Sequence, residues 1–460
     1  MATPADSTVA THSESRTILG IALPLTLAYV AEMGMVITDM VIVGRLGSVE
    51  LAAVGLAGDL FWVFLLIGMG IVAIVGVFAA QALGAGDLEA VRASGEQGFV
   101  AALITSVPII LLTWFLGPML SYADQDPAVV VLISEYAHML TLAVIPALSF
   151  FALRNYVMAL AASAVIGWIT VGALVLNLGL NYTLVYGKLG LPALGVAGAG
   201  LGTAIVNWAM LATIIIYLRR APAFEGKRPT LPPRSVDRAG LKELFRLGLP
   251  VAGTQMLAGG MFSAAAVLVG IISASALVAQ QILYSVVYLA LSAAGGFADA
   301  VRVRVAYGVG REDLAASRHS SNIALAMTAA ATLAATLVIW LAPDALVAVF
   351  LDTDTADSRE VLAIALSVSG VAGLFLLMDG IQIVAADAIR GLRDTRSPFW
   401  ISLGGYWVVG IGAATALCFP LGYGIHGLWW GLVLGVALCA VLLWVRLRQL
   451  FASMTLGQAT

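Results

Sequence analysis

Long apolar blocks, each broken off by glycine, proline or a few charges, recur along the whole chain. About 20 apolar residues suffice to cross a bilayer as an α-helix. Twelve blocks meet that requirement. Six lie at roughly 17–43, 50–80, 95–120, 129–156, 164–186 and 194–218. Six more lie at roughly 241–270, 276–307, 319–350, 360–389, 397–419 and 425–446. The pattern predicts an all-α integral membrane protein with twelve transmembrane helices. The opening segment MATPADSTVATHSESR is polar, without an early basic region or a cleavage site, and is expected as a short disordered tail.

Composition agrees with that class and closes others. The chain is 61% hydrophobic and 11% charged, against roughly 25% charged residues in soluble domains, and its mean hydropathy is +1.01. A net charge of −3 argues against a nucleic-acid partner. The two cysteines, Cys418 and Cys439, lie in apolar runs and read as core residues; the four histidines show no metal-ligand spacing.

Charge in the loops orients the chain. Alternate loops carry nearly all Lys and Arg: GDLEAVRAS, RRAPAFEGKRPTLPPRSVDR, GREDLAASRH, RGLRDTRSP and RLRQL. The opposite loops hold little beyond Arg45, Lys188 and Arg359 and are acidic instead, as in SYADQDPA and LDTDTADSRE. The positive-inside rule then puts both termini and the central loop in the cytoplasm. The expected organisation is a tail at 1–16, an N-terminal lobe at 17–218, a linker at 219–240, a C-terminal lobe at 241–450 and a tail at 451–460.

The lobes repeat one another. A shift of 226 residues takes Leu23 to Leu249, Pro24 to Pro250, Gly34 to Gly260 and Val43-Gly44 to Val269-Gly270. The same shift takes Gly84, Asp87, Leu88 and Arg92 to Gly310, Asp313, Leu314 and Arg318. The register holds without a gap for about 70 residues. Six spans per copy is an even number, so both copies enter the membrane the same way round, as in many secondary transporters.

Ionisable residues inside spans cost about 2.5–3.5 kcal/mol each on insertion scales and must face protein or water. Few are present. Glu32 and Asp39 lie two helical turns apart on one face of the first span. Asn177 and Asn181 lie one turn apart on the fifth, and Thr203 lies on the sixth. Together they make a hard-oxygen set suited to Na⁺ or to a proton on Asp39. The alternative for Asp39 is a structural role, as an acceptor tying helices together. Asp59 on the second span and Asp299 on the eighth lie near span ends and read as interfacial acids. Asp299 also stands within reach of Arg302 or Arg304 on its own helix. Arg154 and Asn155 end the fourth span. Asp379 and Asp387 share one face of the tenth and are the candidate acids of the second lobe. Met33, Met35, Met256, Met261 and Met378, with Gln255, are candidates to line a substrate cavity, because thioethers adapt to varied apolar ligands.

Several stretches resemble the MATE multidrug and toxic compound extrusion family, especially its bacterial efflux branch. They are PLTLAYVAEMGMVITDMVIVGRLG, AAQALGAGDLEAVR, NLGLNYTLVYGKLGLPALGVAGAGLGTA, FRLGLP, VRVAYGVG and MDGIQIVAADAIRGLRDT. The resemblance covers nearly all of the chain past the tail. It implies two pseudo-symmetric six-helix bundles that export cationic or amphipathic compounds from a bacterium across its inner membrane in exchange for H⁺ or Na⁺, with no cofactor and a monomer as default. The family's coupling aspartate falls on Asp39, and its neighbours fall on Asn177, Asn181 and Thr203; any Na⁺ site centres on Asp39. The second lobe departs from the pattern. Ala258 stands where many members carry a glutamate, and Phe375 where a tyrosine is usual, leaving Asp379 of that group. In the repeat register Glu32 is the counterpart of Ala258, so the second acid is expected beside Asp39, an arrangement that favours H⁺. The rival reading is a lipid-linked oligosaccharide flippase of similar architecture, whose cavity would need to be cationic. An enzyme would need clustered acids near an interface. Asp352 and Asp354 are close, but in a solvated loop, and no nucleophile–base pair is present.

Overall fold

The structure is a computed structural model that describes residues 4–122, 125–233, 237–348 and 356–459. Asp352 and Asp354, residues 123–124 of SYADQDPA and residues 234–236 of the central loop lie outside the described residues. Twelve helices are long and apolar enough to cross a membrane. The first six are α1 (Ser13–Gly44), α2 (Ser48–Gly84), α3 (Leu88–Trp114), α4 (Pro127–Ala159), α5 (Ser163–Tyr186) and α6 (Gly195–Arg220). The second six are α7 (Arg238–Ile272), α8 (Ala274–Gly310), α9 (Leu314–Leu341), α10 (Ser358–Gly391), α11 (Arg396–Cys418) and α12 (Gly424–Thr455). The protein is therefore a multi-pass membrane protein, as the hydrophobic pattern predicts.

Caps explain where the boundaries moved. Helices α3 and α9 start several residues earlier than their apolar blocks, each at an aspartate that occupies the N-cap. Asp87 accepts from the Ala90 amide at 2.9 Å, and Asp313 from that of Ala316 at 2.8 Å. These aspartates are equivalent in the repeat. The polar opening segment also differs from expectation, because α1 begins upstream of its span, at Pro4. Glu14 is drawn into the protein by Arg304, whose Nε and Nη2 donate at 2.9 and 2.7 Å, and by the Ser320 hydroxyl at 2.6 Å. At the other end the helix of α12 continues to Ala459, and Phe451 is buried.

The chain forms two compact units, Leu27–Ala252 and Met1–Thr26 with Gly253–Thr460. In the first, α4 packs on α2, α3 and α6, and α5 packs on α6. In the second, α10 packs on α8, α9 and α12, and α11 packs on α12. The two copies thus use the same helix pairings. The boundaries of the units fall inside α1 and α7, two residues beyond Pro24 and Pro250, each of which lies within its helix. Proline removes one backbone hydrogen bond there and bends a helix. The central loop is pinned to the first unit. Phe224 is fully buried, Lys227 offers its carbonyl to the Tyr156 hydroxyl, and the Thr230 amide donates to Glu96 at 2.8 Å.

Helix α11 is irregular. Residues Leu403–Ile411 form a π-helical stretch. Gly405 and Gly410 face Gly435 of α12 backbone to backbone, and a Cβ on Gly435 would lie 2.6 Å from the Gly405 carbonyl oxygen. Only glycine permits that approach. Cys418 and Cys439 are free and buried.

The second unit holds a buried ionic cluster. Arg302 of α8 lies between Asp299 and Asp387, donating to the latter at 2.9 Å, and Arg390 donates to Asp387 at 3.2 Å. The four side chains are nearly inaccessible. Removing one member leaves uncompensated charge, which costs about 3–5 kcal/mol at buried sites. Arg302→Met is accordingly expected to lower stability by about 3 kcal/mol or more, read as a large fall in melting temperature in detergent; an unchanged melting temperature would refute the assignment.

Between α10 and α11, Asp394 accepts from the Ser397 amide and hydroxyl at 3.0 and 2.7 Å, and from Arg446 at 2.8 and 3.0 Å. Burial works to raise its pKa, but the Ser397 and Arg446 donors outweigh burial and hold the carboxyl below its ordinary range. A depressed carboxylate stabilises fully above its unfolded value of about 4, and that stabilisation disappears as pH falls through the folded value. The melting-temperature gap between wild type and Asp394→Asn should hold steady from about pH 8 to 5 and close below about pH 4. A gap that widens toward acid would be inconsistent with this geometry.

Candidate functional site

Asp39 lies near the end of α1 in the first unit. Its position on the helix turns the carboxylate toward α5 and α6, where three neutral donors converge. Asn177 Nδ2 donates to Oδ1 at 3.1 Å, Asn181 Nδ2 donates to the same oxygen, and Thr203 Oγ1 reaches Oδ2 at 3.4 Å. Asn177 and Asn181 meet the acid together because one helical turn separates them. Thr203 is positioned by the glycine-rich start of α6. A Cβ on Gly202 would strike the Asn181 amide oxygen, so the bare backbone there makes room for that side chain. Tyr136 of α4, buried behind the site, is close enough to interact electrostatically with Asp39. It is a neighbour that the sequence pattern does not disclose, being one apolar-face aromatic among many.

Two details define what this group can do. Among the described residues no arginine, lysine or histidine touches Asp39. The amide oxygens of Asn177 and Asn181 are buried without a hydrogen-bond donor. The site therefore offers one carboxylate, two unsatisfied carbonyl-type oxygens and a hydroxyl. A small monovalent cation or a proton would complete it. Among the described residues no three His, Cys, Asp or Glu side chains gather to hold a metal ion.

The other acids separate by partner. Glu32 does not join Asp39. It ion-pairs with Arg154 of α4 at 3.1 Å, and that guanidinium also lies over the rings of Tyr29 and Phe151. The expected pair of acids on one face of α1 is thus replaced by an arginine pair, because α4 presents a cation at that level. Asp387 is likewise held by Arg302 and Arg390. Asp379 stands apart from them. It is buried and accepts from Gln382 Nε2 at 3.1 Å, and that same nitrogen contacts the Tyr406 hydroxyl at 2.6 Å. Tyr406 sits in the π-helical stretch of α11. The sequence reading singles out neither neighbour: the one-turn spacing from Asp379 is the signal that points to Gln382, whereas only the fold brings Tyr406 of α11 there.

The candidate cavity residues divide by exposure. Met33, Met35, Gln255 and Met378 are half-buried, and Met256 is 43% exposed. Met261 is 1% exposed, so it fills the core of its unit instead of lining an accessible surface. Phe375 is also enclosed, within a ring cluster that includes Phe262, Tyr284 and Trp429.

Comparison with known proteins supplies the family. The MatE family model matches the chain twice, over residues 24–183 and 250–415, and the two matches begin at the repeat-equivalent Pro24 and Pro250. A protein of Pseudomonas aeruginosa described as a probable multidrug resistance protein NorM is 36% identical over 428 residues, covering 93% of this chain and 88% of the relative. The multidrug resistance protein NorM of Burkholderia vietnamiensis is 34% identical, covering 92% and 91%. Among solved structures, a MATE in the bent conformation superposes with a TM-score of 0.88 at 18% identity, covering 97% of each chain. The eukaryotic MATE transporter AtDTX14 gives 0.84 at 21%, covering 96% and 98%. The two solved structures share the fold. The sequence matches go further: this chain belongs to the MatE family, whose members are membrane transporters and not enzymes.

Proposed function

We propose that this protein is a secondary antiporter of the bacterial inner membrane that exports cationic or amphipathic compounds in exchange for H⁺ or Na⁺. Both termini face the cytoplasm in this reading, as the loop charges require, and the chain works as a monomer. The observation that carries the exchange is the Asp39 site: an acid inside a span, free of any cationic side chain, beside two amide oxygens that lack donors.

The cycle follows from differential binding. An ion moves a transporter between states only if it binds one of them better than the other. A cation or proton on Asp39 neutralises the acid and relieves Asn177 and Asn181, and so favours the arrangement of α1, α5 and α6 that surrounds it. Without that ion the carboxylate is better served by water or by a cationic cargo, which favours a hydrated arrangement. Asp379, held by Gln382 and Tyr406 with no arginine against it, is a second group of this kind and belongs to the same proposal. Glu32 and Asp387 are assigned to structure, because each already has its counter-charge. The acidic character of the cation-free groups favours cationic cargo over the pyrophosphate of a lipid-linked oligosaccharide.

Dye uptake into inverted vesicles under imposed pH or Na⁺ gradients tests the scheme. Asp39→Asn is expected to abolish gradient-driven transport, by about 100-fold or more, while leaving the protein folded. Glu32→Gln is expected to lower thermal stability and retain gradient dependence. The gradient that drives the wild type names the ion. Undiminished dye uptake by Asp39→Asn vesicles would overturn the proposal, and loss of coupling in Glu32→Gln without loss of stability would reassign that acid.

A further inference from the structure

We infer that Asp59 of α2 is a recognition group for the positive charge of the cargo, an inference that rests on the export of organic cations proposed above. The sequence alone reads Asp59 as an interfacial acid; the structure places it on an exposed face within α2. Asp59 lies eleven residues beyond Ser48, the first residue of α2, about 16 Å along the axis at 1.5 Å per residue. The helix runs on for another 25 residues to Gly84, so Asp59 lies within the span and outside its first and last turns. Glu50, by contrast, stands in the first turn of this helix.

Asp59 also stands at the centre of the open face of α2. Ala52, Trp62 and Val63 flank it and are exposed with it, whereas Ala53, Val54, Ala57, Phe61, Leu65 and Gly68 form the buried face opposite. A Cβ on the adjacent Gly58 would meet nothing within 4 Å. Among the described residues no side chain hydrogen-bonds or ion-pairs with Asp59. A carboxylate inside a span, with no side-chain partner among the described residues, is costly on a lipid-facing surface. The open face of α2 therefore borders water, and inside a transporter that water is the cargo's route. Trp62, one turn from Asp59, adds an indole, the best of the rings for cation–π contact. A carboxylate and an indole on one wet face suit a delocalised monocation with aromatic surface. They offer nothing specific to an uncharged compound.

Equilibrium binding to the purified full-length chain tests this, with ethidium and tetraphenylphosphonium as monocations and chloramphenicol as an uncharged compound. Asp59→Asn should raise the Kd of both monocations about tenfold or more and shift that of chloramphenicol less than about twofold. Asp59→Glu should restore most of the cation affinity. Trp62→Leu, which leaves the acid in place, should weaken ethidium more than tetraphenylphosphonium, because the flat ring system stacks. Equal cation binding by Asp59→Asn and wild type overturns this inference alone. Equal loss of all three ligands also overturns it, because a charge-specific role cannot weaken chloramphenicol. Wild-type protein that binds neither monocation overturns the inference and the proposed cargo class together.

Discussion

A charge held away from water needs a counter-charge, a small cation or a pocket of water of its own, and this requirement sorts the acids of the protein. Glu14 has Arg304, Glu32 has Arg154, and Asp299 and Asp387 share Arg302 with Arg390 nearby. Each of those groups meets a cationic side chain, and several of the pairs tie helices distant in sequence. Asp39 and Asp379 have only neutral partners, and Asp59 has none among the described residues. A group whose partners are neutral retains its freedom to take up and release an ion. Under the proposed function, the division between structural and working acids is a division of partners, not of residue type or depth.

The repeat preserves packing while letting this chemistry diverge. Helix pairings match between the units, and Asp87 and Asp313 cap equivalent helices. Yet the register places Ala265 opposite Asp39 and Ala258 opposite Glu32. The second unit carries its cation-free acid on α10, and reaches it with a glutamine and with a tyrosine delivered by the π-helical stretch of α11. A π-helical stretch breaks the regular turn of a helix, and such irregularities recur at functional sites. Here it coincides with the glycines that let α11 lie against α12.

Much of this was legible in the residues. Blocks of apolar length gave the twelve spans, because a membrane imposes that length on any helix crossing it. The neighbours of Asp39 were legible because Asn177, Asn181 and Thr203 are rare polar types in apolar runs, and the resemblance placed them together. Partner identity was not legible. Nothing local to Glu32 announces Arg154, which is 122 residues away, and periodicity alone groups Glu32 with Asp39. The polar opening segment misled for the same reason, since Glu14 becomes helical and half-buried through an arginine 290 residues distant. Met261 shows the converse: a thioether suits a cavity wall and a packed core equally, and only packing decides.

The boundaries of the two units carry one more consequence. Residues 238–252 fold with the first unit although they open the second copy of the repeat, and the described residues before Leu27 fold with the second unit although they open the first copy. Each copy thus lends its leading half-helix to the other. A cut in the central loop would therefore part each leading half-helix from the unit in which it lies.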